Sequence, residues 1–227
     1  MKKLKVSASV SCMDLLHLEK ELCDVEKSDI SFLHYDVVDG VFNRCFGLGD
    51  FLLPFIKKCS SKPVEVHLAV NEIDLYLEPL IKAGADYIAV HYESMKDPLS
   101  TFEKIRALGA KPILAYRAET APQEDFLVYA KEVEWVLKLM VNPGFSGQKM
   151  VEPALDHIKT MRTMIKQAGL KTRIQADGNI NGQSIRRIVE AGADIVTGGS
   201  SGLYLKTGTL EENLSKLIES SKNKDLE

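Results

Sequence analysis

Short apolar runs recur along the chain, and each is followed by a longer stretch whose apolar residues fall at helical spacing. The runs are LKVSAS (4–9), SFLHYDVV (31–38), PVEVHLAV (63–70), DYIAVHY (86–92), AKPILAY (110–116), EWVLKLMV (134–141), TRIQAD (172–177) and ADIVTGG (193–199). Between them lie amphipathic segments such as DLLHLEKELCDVEK, EIDLYLEPLIKAG and ALDHIKTMRTMIKQAG, which predict helices. Punctuation repeats as well: KAGADYIAV (82–90) and EAGADIVTG (190–198) share a helix end, a glycine and a strand start, and LGAKPILA (108–115) echoes them. Parallel strands need such crossovers, and eight strand–helix units most naturally close into a single (β/α)8 barrel. An open doubly wound sheet is the alternative, but no G-x-G-x-x-G follows the first strand.

Composition narrows the picture further. The 227 residues are 45% hydrophobic and 27% charged, as in an ordinary soluble domain, and eight units leave no room for a second one. We therefore expect one domain over 1–227, with a polar tail from about 220. A formal net charge of -3 without a basic run argues against a nucleic-acid partner. No stretch approaches the roughly 20 apolar residues of a membrane helix, and no apolar segment follows the N-terminal lysines as in a signal peptide. Four cysteines without a C-x-x-C pair fit a reducing cytoplasm better than a disulfide framework or a thiolate zinc site. Cys12 has no evident base beside it and reads as a structural thiol.

The candidate chemistry begins with His34, Asp36 and Asp39, polar residues at the end of what should be a core strand. Such groups are rarely buried unless paired or bound to a metal. Strand alternation puts Phe32, His34 and Asp36 on one face, the inward one. His67 lies near the end of the third strand and Asp177 closes the seventh, so all four polar residues fall at one barrel level. Catalytic groups of a barrel sit at the C-terminal strand ends. Two histidines and two aspartates there make a mixed N/O site for one divalent ion, with zinc, iron, manganese or cobalt as candidates. The plainer alternative is a pair of satisfied core histidines with two capping aspartates.

Asp39 reads as a turn former, and Glu65, deeper on the His67 face, as support for a ligand. His91 and Glu93 close the fourth strand and could reach the mouth, whereas His17 and His157 fall on helical patterns and read as surface. Glycine-rich turns follow the late strands: NPGFSGQ (142–148), DGNI (177–180) and GGSSG (198–202). Loops at that position grip phosphate in barrels through backbone N–H groups. Gly144, Phe145, Ser146, Gly147, Gly178, Asn179, Gly199 and Ser200 are accordingly expected to bind the anion.

These residues also carry a resemblance. HYDVVDG (34–40), VHLAV (66–70), NPGFSGQ (142–148) and ADGN (176–179), in this order and spacing, resemble the signatures of the ribulose-phosphate 3-epimerase family nearly end to end. The resemblance implies His34, Asp36, His67 and Asp177 as metal ligands, Asp36 and Asp177 as the acid/base pair, and Ser9 and His67 among the substrate contacts. It implies 3-epimerisation of a phosphorylated 2-ketose of the D-ribulose 5-phosphate type through an ene-diolate, with one divalent ion per chain, in a cytoplasmic homo-oligomer. Several positions depart from the family pattern: Val38, Ala69 and Leu139 stand where methionines are usual, Asn179 where a glycine is, and Gln175 where a glutamate is. The loops VFNRC (41–45) and YRAETA (116–121) differ too, so the sugar remains open. SVSCMDLL (9–16) and GSSGLY (199–204) are more similar to the D-allulose 6-phosphate 3-epimerase branch.

Rivals need other residues. A decarboxylase of the D-x-K type would want a lysine where Val38 stands, and a Schiff-base aldolase a lysine at a strand end, where Lys138 comes too early. A sugar-phosphate-binding protein without turnover is the non-enzyme alternative, and it would not need two opposed carboxylates.

Overall fold

The computed structural model describes residues 3–144 and 147–222. Eight parallel strands close on themselves in sequence order: β1 (Lys5–Ser9), β2 (Phe32–Val38), β3 (Val64–Ala69), β4 (Tyr87–His91), β5 (Lys111–Tyr116), β6 (Trp135–Leu139), β7 (Arg173–Asp177) and β8 (Ile195–Gly198). Each of the eight expected strands is present, with ends displaced by no more than two residues. The helices of the outer ring are α1 (Leu18–Lys27), α2 (Leu53–Cys59), α3 (Asp74–Ala83), α4 (Pro98–Ala107), α5 (Phe126–Ala130), α6 (Pro153–Gln167), α7 (Ile185–Ala191) and α8 (Leu210–Ser220). A closed barrel is thus the outcome, and the open sheet is excluded.

Alternation along each strand divides the core into two parts. Outward residues such as Leu33, Tyr35, Val66, Leu68, Ile88, Leu114, Val136 and Ile174 pack under the helices and form the larger core. Inward residues Phe32, Ala89, Ile113, Ala115, Trp135, Leu137 and Ile195, with Tyr87 packed against them, fill one side and the floor of the barrel. The opposite side of the interior is polar: Ser7, His34, Glu65, Gln175 and Thr197 are all buried there. Buried polar groups must find partners, and each of these five residues has at least one. Gln175 Nε2 donates to Thr197 Oγ1 at 3.0 Å and to Glu65 Oε2 at 2.9 Å, and Ser7 Oγ donates to Thr197 Oγ1 at 3.3 Å.

Lys138 lies within β6 between inward Trp135, Leu137 and Leu139, so alternation turns it outward, away from the barrel interior. It is fully buried, and its ammonium donates to the carbonyls of Arg117, Ala118 and Thr120 in the β5–α5 loop. Three N–H donors meet three acceptors, which makes a charge tolerable there and gives Lys138 a structural task. His17 is exposed as expected, whereas His157 is half-buried, because α6 lays it beside the Ala118 backbone.

Candidate active site

The strand register explains why the expected polar residues meet. Asp36 pairs across with His67, His34 with Glu65, Ser9 with His34, and Leu139 with Asp177. Because inward residues of neighbouring strands share a level, His34, Asp36, His67 and Asp177 each present one ligand atom within 4.8 Å of the others. The contacts are close: His34 Nε2 lies 3.0 Å and His67 Nδ1 2.9 Å from the same oxygen, Asp36 Oδ1, with Asp177 Oδ2 3.6 Å from His34 Nε2. Ligands on a zinc-like ion each stand about 2.0–2.2 Å from it, so opposite donors lie about 4 Å apart. Two nitrogens and two carboxylates in that compass fit one divalent ion.

Charge points the same way. Three carboxyls, Asp36, Glu65 and Asp177, face two imidazoles, and among the described residues neither lysine nor arginine lines the cavity above them. Burial pushes Asp177 up to about 6, with the neighbouring Asp36 charge adding to it. Burial works on Asp36 in the same sense, but the charge of His34 and the close approach of the His34 and His67 rings outweigh it and hold that carboxyl well below the usual range. For His34, burial opposes protonation, and the carboxylates of Asp36, Glu65 and Asp177 reverse the balance and raise it. A cluster so rich in carboxylate calls for a cation, and a metal ion supplies it without a proton.

The side chains behind the cluster hold it in place. Glu65 Oε2 accepts from His34 Nδ1 at 2.9 Å, in the supporting role its sequence position suggested, while Glu65 Oε1 is buried without a partner among the described residues. Trp135 Nε1, which can only donate, points to Gln175 Oε1, so the Gln175 amide must turn its NH2 toward Glu65. His91 and Glu93 do not line the cavity; they lie behind His67, with His91 Nε2 2.8 Å from His67 Nε2 and His91 Nδ1 3.1 Å from Glu93 Oε2. Burial pushes His91 down to about 4. Asp39 is a turn residue, as its D-G context suggested: its carboxylate accepts from the backbone of Val41, Phe42 and Asn71.

Above the cluster opens a cavity of about 320 Å³ lined by Ser9, Asp36, His67, Asp177, Gly144, Gly147, Gly178, Asn179, Gly199 and Ser200. These expected residues come together; His34 lies just beneath them, fully buried, and Phe145 and Ser146 lie outside the described residues. Asn179 adopts φ +54°, the left-handed conformation its usual glycine would take, and Asn179 Nδ2 ties the turn to the Gln148 carbonyl at 2.6 Å. Asparagine tolerates this region better than other non-glycine residues. Sequence reasoning missed Ser11, Cys12, Gln148 and Ser201 at the cavity wall. Ser11 Oγ, 3.4 Å from Asp36 Oδ2, follows β1 in a short helical turn, and no strand periodicity could have aimed it there.

Residues 5–203 match the model of the ribulose-phosphate 3 epimerase family. The chain belongs to that family. It is therefore an isomerase of the epimerase class, in carbohydrate metabolism. The ribulose-phosphate 3-epimerase of Methanocaldococcus jannaschii is 34% identical over 98% of this chain and 94% of its own. That of Bacillus subtilis is 33% identical over 87% and 91%, and that of Synechocystis 33% over 88% and 87%. Solved structures share the fold at much lower identity. A 3-hexulose-6-phosphate synthase superposes with a TM-score of 0.61 at 15% identity, covering 96% of this chain and 99% of that one. N-(5'-phosphoribosyl)anthranilate isomerase from Pyrococcus furiosus gives 0.62, also at 15%, over 96% and 98%. Among the described residues of the family member, no helix is long and apolar enough to cross a membrane.

Proposed function

We propose that this enzyme inverts C3 of a phosphorylated 2-ketose, interconverting D-ribulose 5-phosphate and D-xylulose 5-phosphate, with Asp36 and Asp177 as the acid/base pair. The observation that carries the reading is the pair itself. Two carboxyls rise from β2 and β7 at one level of the mouth, and their surroundings push their pKa values in opposite directions. Pairs held apart in this way are suited to opposite proton-transfer roles.

His34, Asp36, His67 and Asp177 would hold one divalent ion. Bound there, it would polarise the C2 carbonyl and stabilise the negative charge that develops on the ketose oxygens. Asp36 takes the proton from C3 on its face; the carbon–hydrogen electron pair moves toward C2, and the carbonyl oxygen becomes an enolate oxygen. Asp177 then returns a proton to C3 from the other face and the carbonyl reforms. In the reverse direction the two exchange roles. Ser9, at the end of β1 on the cavity wall, is placed to contact the sugar beside His67.

The phosphate would sit among Gly144, Gly147, Gly178, Asn179, Gly199 and Ser200, with Phe145 and Ser146 in the same loop. With neither lysine nor arginine among the described residues of the lining, backbone N–H groups would carry the anion. A cytoplasmic homo-oligomer belongs to the same proposal; exposed Val41, Phe46, Phe51 and Phe55 offer an apolar surface that a second copy would cover. The test is a turnover screen of pentulose and hexulose phosphates and their free sugars, with metal content measured in parallel. D-Ribulose 5-phosphate should turn over best, and its unphosphorylated sugar at least a hundredfold less efficiently, an order of magnitude for a lost anion grip. Preference for D-allulose 6-phosphate would move the enzyme to that branch, and equal turnover of free sugars would remove the phosphate site.

A further inference from the structure

Behind the cluster, one imidazole nitrogen faces another, and that contact constrains where the protons are. His67 Nε2 and His91 Nε2 are 2.8 Å apart and both buried, so one must donate and the other accept. The direction is set further back. Glu93 receives His91 Nδ1 at 3.1 Å on Oε2 and the Arg117 backbone N–H at 2.8 Å on Oε1. A carboxylate only accepts, so His91 Nδ1 carries the hydrogen and the other nitrogen of the neutral ring offers a lone pair. His67 must then donate through Nε2, and in the neutral ring that leaves Nδ1 bare, its lone pair 2.9 Å from the Asp36 carboxylate, a pair of acceptors that a cation between them would reconcile.

We infer that His91 and Glu93 are positioning residues that fix the His67 tautomer, keeping its Nδ1 lone pair turned toward Asp36 and Asp177. This rests on the proposed metal site for its consequence but not for its geometry. His34 is held in the opposite sense by Glu65, which takes Nδ1 and frees Nε2 for the cluster. The two histidines therefore approach one site through different ring nitrogens. The relay is also tied into the loops around the mouth. The Phe42 ring lies 4.6 Å from the His91 ring on one side and 3.6 Å from the Arg117 guanidinium on the other, and Arg117 Nη2 donates to the Phe42 carbonyl at 2.6 Å. These contacts cover His91 and keep water from supplying it with a competing partner.

One isosteric change should reverse the chain of donors. In Glu93→Gln the Arg117 N–H still requires an acceptor, so the amide oxygen goes there and the NH2 faces His91 Nδ1. That nitrogen must now accept, His91 donates through Nε2, and His67 is switched to the tautomer with hydrogen on Nδ1. Histidine 15N–1H correlation spectra of the metal-stripped full chain read each tautomer directly. Expected are a His67 hydrogen on Nε2 in the parent chain and on Nδ1 in Glu93→Gln. Cobalt titration of the same samples should show a 10- to 100-fold weaker affinity in Glu93→Gln, the usual scale for removing a ligand's support. Glu93→Asp, which keeps the carboxylate, should recover the parent tautomer and most of the affinity. A parent chain with His67 protonated on Nδ1, or a Glu93→Gln variant with tautomer and cobalt affinity unchanged, overturns the inference; the parent spectrum decides even if the variant does not fold. Failure of the parent chain to bind cobalt would instead remove the metal site of the proposed function, and the tautomer comparison would still decide the relay.

Discussion

Asp36 and Asp177 differ in what surrounds them more than in what they are. Asp36 has His34 and His67 on one oxygen and Ser11 Oγ at 3.4 Å from the other; among the described residues Asp177 has only the 3.6 Å approach of His34 as an ion pair. If the two serve opposite faces of C3, each substrate epimer loses its proton to a different one. Asp177→Asn, with metal content confirmed, should epimerise some hundred- to ten-thousandfold more slowly, the range for one proton-transfer group. It should nevertheless exchange solvent deuterium into C3 of the epimer whose proton faces Asp36. Asp36→Asn should show the mirror preference. NMR of each epimer in heavy water makes the comparison, and undiminished epimerisation in either variant would take that aspartate out of the mechanism.

Elements matter here chiefly through the loops that join them at the mouth. The β2–α2 loop folds back on its own strand, with the Leu48 and Gly47 N–H groups donating to the Asp36 and Val38 carbonyls at 2.9 and 3.0 Å. The β5–α5 loop is fastened from behind by Lys138. Lys138→Met keeps the apolar stem but leaves three carbonyls without that donor, so a stability loss of about 2–4 kcal/mol is expected, measured by urea denaturation. After β7, Gly178 sits at φ +109°, and an added Cβ would lie 2.5 Å from Val141 Cγ2. Gly178→Ala strains the backbone and crowds the β6–α6 loop at once. A loss of about 1–3 kcal/mol should accompany it, with KM for the phosphorylated sugar rising more than kcat falls.

For the molecule as a whole, the polar half of the barrel interior is a concentrated charge problem. Three carboxyls, with Glu65 fully buried and Asp36 and Asp177 half-buried, and two imidazoles occupy a space that strands β4 to β6 fill with Ala89, Ile113, Ala115 and Leu137. A cation that binds only the folded chain stabilises it by mass action, by about 4 kcal/mol at a thousand times its dissociation constant. Thermal unfolding of the parent chain should therefore shift upward on adding zinc, manganese or cobalt and downward with a chelator. The His67→Ala variant should not respond. Identical melting with metal and with chelator would contradict the site.

The strand–helix alternation, the closed barrel and the level of His34, Asp36, His67 and Asp177 were legible in the chain because strand periodicity and strand ends are local properties. The resemblance added the family, which the relatives bear out. Lys138 read only as a lysine too early in its strand for a Schiff base; its outward face and its three carbonyl partners appear only in the fold. Ser11 and the support that His91 and Glu93 give His67 were not legible at all. Those contacts depend on register between strands and on loops that meet across the mouth, such as Arg117 against Phe42, 75 residues apart. A sequence pattern records which face a residue takes, whereas the direction of a hydrogen bond is settled only when two faces are brought within 3 Å of each other.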